Sequence, residues 1–156
     1  MGRRPPLETD PTRTVAYGNL DELMLYVWAD HPVTDEVYRE YLAGHVRFIE
    51  ASPPITAYLV VSPSFAPSLR QRGIMKDSER ALRFENVRAI ALVSDSTVAR
   101  GVLQAIAWTF PDKKRALKAF GMTELGAAGT WLAGQGIRAP IDAIVAKVAE
   151  LRGELA

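Results

Sequence analysis

Three serines follow an apolar run in YLVVSPSFAPS, residues 58–68: Ser62, Ser64 and Ser68. A hydroxyl just past a strand end has three kinds of use. It can attack an acyl carbon, given a base and an oxyanion hole. It can accept a phosphoryl group, whose charge the free N–H groups and dipole of a following helix would stabilise; Arg70 and Arg72 follow closely in sequence. Or it can close a turn or cap that helix. Hydrolysis needs a base, and the chain has only His31 and His45, both distant in sequence, with no G-x-S-x-G elbow. A serine hydrolase would therefore depend on tertiary structure alone. A second set, Ser94-Asp95-Ser96, follows the next apolar run and has the same choice between capping, contact and phosphate acceptance.

Metal and nucleotide chemistry find no support in the residues. Cysteine is absent, and no histidine pair has zinc-ligand spacing. Neither an acidic calcium loop nor a glycine-rich phosphate cradle is present, so no cofactor is expected. His45 falls on the apolar side of a helical pattern and reads as a packing histidine; His31, before Pro32, reads as solvated. Trp28, Trp108 and Trp131 read as core or rim residues, or as the lining of a pocket for an apolar ligand. Lys113, Lys114, Arg115 and Lys118 make a short basic cluster. With Arg3, Arg4 and Arg13 it reads as a solvated loop, or as a contact for an acidic partner or lipid headgroups.

A chain of 156 residues, 48% hydrophobic and 24% charged, suits one globular domain. A net charge of +1 gives no footprint for nucleic acid. No run is long enough for a membrane span, and the first residues lack the apolar core of a secretory signal. The expected location is cytoplasmic. Residues 1–13, rich in proline and charge, are expected to form a disordered tail, with a single domain over 14–156.

The elements that must position these residues follow from periodicity. Thr14–Gly18 and Glu22–Ala29 read as strands around a turn at Gly18–Asp21. Asp35 to Ala51 reads as a helix capped by Thr34, with acidic residues in its first turn. Ile55–Val61 is a β-branched central strand. Residues 62–85 suggest one or two short helices broken near Gly73. Val87–Val93 is another buried strand, followed by a helix. Arg115–Phe120 is an edge strand, and Thr123 is the expected cap of the next helix. Ile141, Ile144, Val145, Val148 and Leu151 form the stripe of a last helix over 140–154. That stripe suits packing on its own domain or a homodimer contact. The expectation is an α/β fold: a single mixed sheet covered by helices, in the order β-β-α-β-α-β-α-β-α, plus an extra C-terminal helix.

Three stretches, ITAYLVVSPS, VRAIALVSDSTVARGVLQAIAWTF and ALKAFGMTELGAAGTWLAG, resemble the STAS family. The likeness is to its SpoIIAA-like subgroup of anti-sigma-factor antagonists, which shares a superfamily with CRAL-TRIO lipid-transfer domains. It covers about residues 14–134. It implies a non-enzymatic protein-interaction module in bacterial regulation, with a protein partner at the switch loop and the helix starts. The CRAL-TRIO side implies, alternatively, a carrier or sensor of an apolar small molecule or lipid. The family's phosphorylated Asp-Ser-x-Gly loop is missing after the central strand. Asp95-Ser96 has its first two letters, but one strand later.

Overall fold

The computed structural model describes residues 8–9, 14–30, 33–51, 54–63, 67–78, 86–109 and 116–155, with backbone alone at 8–9, 103–104 and 106–109. Five strands of five or six residues carry one mixed sheet: β2 (Val15–Leu20), β3 (Leu23–Trp28), β4 (Ala57–Val61), β5 (Ala89–Val93) and β6 (Ala116–Phe120). A two-residue strand, β1 (Glu8–Thr9), pairs with β2 through Glu8↔Tyr17 and Thr9↔Ala16. The sheet thus reaches into the segment that composition assigned to a disordered tail. The helices are α1 (Asp35–Ala51), α2 (Leu69–Asp77), α3 (Thr97–Thr109), α4 (Leu125–Gly134) and α5 (Ile141–Gly153).

Strands lie side by side in chain order. β2 and β3 form an antiparallel hairpin, and β3 through β6 run parallel. Every residue of β2 and β3 is buried, which is why β3 reads as a nearly unbroken apolar run. Their turn is Asp21-Glu22, two residues beyond the expected place, with Leu20 opposite Leu23. Asp21 takes the left-handed conformation at φ 51° that a two-residue hairpin loop requires. The Asn19 side-chain amide donates to the Asp21 carbonyl at 3.1 Å. Gly18, read as a turn residue, sits mid-strand opposite Leu25.

Alternate strand residues feed two separate cores. Leu23, Leu25, Val27, Leu59, Val61 and Val93 face α4 and α5, meeting Ala128, Leu132, Ile144, Val148 and Leu151. Met24, Tyr26, Trp28, Tyr58 and Ile90 face the other way, onto Tyr38, Leu42, Phe48 and Ile49 of α1. Ile74 and Met75 of α2 pack against this second core, and α3 contacts β6. Helix α5 lies over β2, β3 and α4. Its inner stripe is spent within the molecule, leaving only Ile141 and Val145 substantially exposed.

Two other boundaries differ from expectation. α2 runs unbroken through Gly73, because its capped first turn offsets the roughly 1 kcal/mol that a helical glycine costs. α4 begins after Glu124 rather than at a Thr123 cap; the Glu124 carboxylate instead accepts from the Gly121 N–H at 2.6 Å, closing the preceding turn.

Glu22 ties together the end of the sheet where the parallel strands begin. Its carboxylate accepts from the Thr56 hydroxyl at 2.8 Å and from the Arg138 N–H at 3.3 Å. It also pairs with Arg88 at 3.4 Å, whose guanidinium donates to the Gly136 carbonyl at 3.3 Å. One carboxylate therefore joins the starts of β3, β4 and β5 to the α4–α5 connection. The opposite end is left to the loops and helix starts.

Candidate functional site

The parallel strands all exit at that opposite end, where α1 through α4 begin. Open α/β sheets bind ligands outside this carboxyl edge where the strand order reverses; here the strands run in chain order, so the edge offers helix starts and loops without such a crevice. Ser62, Ser68, Ser94 and Ser96 lie along it and are engaged in local structure. Ser62 is buried, and its N–H donates to the Val93 carbonyl at 3.0 Å, prolonging the β4–β5 ladder. Ser64 lies outside the described residues. Ser68 caps α2: its hydroxyl accepts from the Gln71 N–H at 3.1 Å, and its own N–H donates to Gln71 Oε1 at 3.1 Å. This is a reciprocal capping box.

Gln71 was not singled out in the sequence, although Ser68-x-x-Gln71 is the pattern of such a box. It is buried. Its amide nitrogen donates to the Val33 carbonyl at 3.0 Å and to Asp35 Oδ1 at 3.2 Å. Arg70 adds an ion pair to Asp35 at 3.5 Å. The starts of α1 and α2 are thus locked to one another by a buried amide.

The second serine set is spent in the same way. The buried Ser94 hydroxyl accepts from the Ser96 N–H at 3.1 Å, and the Ser94 carbonyl accepts from Arg100 Nε at 2.9 Å. The Ser96 hydroxyl accepts from the Ala99 N–H at 3.2 Å, capping α3. Asp95 Oδ1 accepts from the Met122 N–H at 3.0 Å, joining the β5–α3 loop to the β6–α4 loop.

Two apolar side chains stand out from this edge. Leu69 is 79% exposed in the first turn of α2, and Val98 is 68% exposed in the first turn of α3. Among the described residues the other exposed large apolar side chains are Ile141 at 39% and Val145 at 44%. Periodicity does not mark Leu69, and it places Val98 with Val102, Ala105 and Ile106 on the inner face of its helix; the structure corrects this, since Val98 stands on the outer side.

His45 is in the core between α1 and the sheet, among tyrosines rather than beside a loop serine. Its ring centroid lies 4.8 Å from Tyr26, 5.7 Å from Tyr41, 5.8 Å from Tyr58 and 6.4 Å from Tyr17. The Tyr58 hydroxyl is 3.4 Å from Nε2. Nδ1 is buried without a hydrogen-bond partner. Burial pushes the imidazole down to about 3, so it is neutral at pH 7. Burial, then neighbouring phenols, push Tyr26 and Tyr41 well above the usual tyrosine value.

Trp28 belongs to this aromatic core, 4.9 Å from Tyr41. Trp131 packs on Phe120, 6.0 Å away, on the opposite face of the sheet. These two tryptophans therefore do not share a pocket; the Trp108 side chain lies outside the described residues. Of the basic cluster, Lys118 is described, exposed on β6 with its ammonium 5.4 Å from the Phe120 ring centre. Lys113, Lys114 and Arg115 lie outside the described residues, as do Arg3, Arg4, Arg13 and His31.

Among the described residues, no three histidine or carboxylate side chains gather as a metal site, and no helix is long and apolar enough to cross a membrane. No protein-family model, curated protein or solved structure matches the chain.

Proposed function

We propose that this chain is a non-enzymatic protein-interaction module, a STAS-like regulatory domain that binds a protein partner at the carboxyl edge of its sheet. The observation that carries this reading is the placement of Leu69 and Val98. Both are large, apolar and more than half exposed, and both open helices that follow neighbouring parallel strands. Burying such a side chain stabilises by about 1.5–3 kcal/mol, and this fold leaves that gain to an external surface. The serines around them hold the helix starts in place through caps, which gives a partner a rigid platform. Ser68, exposed at the start of α2, is the described switch-loop serine that a regulatory kinase could reach.

The test is affinity capture from the source cells, comparing the wild-type chain with the Leu69→Asp/Val98→Asp and Ile141→Asp/Val145→Asp variants. A specific partner retained by the wild type and by the α5 variant, but lost by the helix-start variant, is the expected result. Equal capture by all three folded proteins would overturn the reading.

A further inference from the structure

The two cores differ in one chemical respect. The α4–α5 core is built from aliphatic residues and Phe120. The α1 core encloses an imidazole whose surroundings offer no charge to balance a proton. β2 presents Tyr17 to His45, β3 presents Tyr26, β4 presents Tyr58, and α1 itself presents Tyr41. Burial alone accounts for the downward push on the ring, with no carboxylate acting on it. The Tyr26 and Tyr41 phenols are pushed well above the ordinary tyrosine value and cannot serve as counter-ions. On α1 itself Arg47 carries a positive charge, with a guanidinium nitrogen within 3.7 Å of where a Cβ on Gly44 would stand.

An imidazolium here would keep one acceptor, the Tyr58 oxygen, for Nε2–H, and none for Nδ1–H. A buried charge with an unpaired donor and no counter-ion costs several kcal/mol, and water is the nearest remedy. Reaching water requires α1 to leave the sheet. We propose that His45 is an acid-releasable latch: taking up a proton, it lifts α1 off the Tyr17–Tyr26–Tyr58 face while α4 and α5 stay packed on the other face.

Lifting α1 would uncover Tyr17, Tyr26, Trp28 and Tyr58 as one aromatic surface. It would also withdraw Asp35 and Val33 from Gln71 and free the start of α2. The latch stands independently of whether a partner binds at Leu69 and Val98.

Amide hydrogen exchange of the full-length chain tests this, read peptide by peptide between pH 7 and pH 4.5 and corrected for the intrinsic exchange rate. With one proton taken up on opening, α1 protection should fall about ten-fold per pH unit below the ordinary histidine value of about 6.5. Across the range that amounts to about a hundred-fold, and at every pH the α1 amides should be less protected than those of α5 over residues 141–153, because α1 opens without global unfolding. His45→Gln, which stays neutral, should abolish the pH dependence in α1. Equal protection of α1 and α5 across the pH range, the mark of one global opening, would overturn the latch, as would an unchanged pH dependence in His45→Gln. If that variant does not fold, the two wild-type faces still decide the question.

Discussion

The hydroxyl of Tyr17 occupies the space that a Cβ on Gly44 would need. β2 and α1 meet there at a glycine in the middle of a 17-residue helix. Alanine at such a helical position ordinarily gains about 1 kcal/mol. Here Gly44→Ala should instead lose about 1–3 kcal/mol through overpacking, and Tyr17→Phe in the same chain should recover part of that loss. Gly73, also mid-helix, has open space around it, so Gly73→Ala should gain about 0.5–1 kcal/mol. Urea denaturation of the three variants checks the opposite signs.

The buried titratable groups set a stability profile with two shoulders. The folded His45 value lies below the ordinary one, so between about pH 3 and about 6.5 the unfolded chain binds a proton that the folded chain does not. Stability therefore falls as pH drops through that window, by up to about 1.4 kcal/mol per pH unit. Tyr26 and Tyr41 are shifted upward in the folded chain, so above about pH 10 the unfolded chain loses protons that the folded chain keeps, and stability falls again. Urea midpoints should be level near neutrality and decline on both sides. A profile still level at pH 4.5 would contradict the burial of His45.

What the sequence discloses and what it withholds separate along physical lines. Strands buried on both faces announce themselves as apolar runs, so β3, β4 and β5 are legible within two residues. α1 is legible from Thr34, whose hydroxyl accepts from the Val37 N–H at 3.2 Å. The hairpin turn is displaced because Gly18 carries the stronger local turn signal, while Asp21 adopts a conformation that only the paired strands impose. Assigning α5 to its own domain was open in the sequence, since an apolar stripe does not say what covers it. His45 reads correctly as a packing histidine, yet its neighbours come from residues 17, 26, 41 and 58, and no local pattern links those positions. Leu69 escapes a periodicity search, and Val98 is misassigned by it to an inner face, for a different reason: the signal is exposure, a property of the folded surface.

At Ser68, capping and switching make different demands. Ser68→Ala removes the acceptor for the Gln71 N–H and should cost about 1 kcal/mol. Ser68→Asp keeps an equally good cap, so its stability should stay within about 0.5 kcal/mol of wild type. If Ser68 is a switch, the aspartate variant should nevertheless alter partner capture. Thermal melts combined with the capture assay separate the two roles. A stable Ser68→Asp chain with unaltered capture would leave Ser68 as a cap only.

Glu22→Ala leaves the Thr56 hydroxyl, the Arg138 N–H and Arg88 without their shared acceptor. A loss of about 2–3 kcal/mol is expected. Arg88→Ala, which removes the exposed ion pair and the bond to Gly136 but keeps the other two, should cost no more than about 1 kcal/mol. Equilibrium urea curves for both variants give the comparison.

The same carboxylate has a consequence for the order in which the chain folds. Glu22 and Arg138 are 116 positions apart, and the starts of β4 and β5 must be aligned before their groups can converge on Glu22. Contacts that close such long loops repay their entropy late. The clamp should therefore be absent at the folding barrier. Glu22→Ala should leave the refolding rate nearly unchanged and speed unfolding by most of its stability loss. Glu22 would then govern how long the native state persists, while leaving the speed of its formation to the hairpin and the helices.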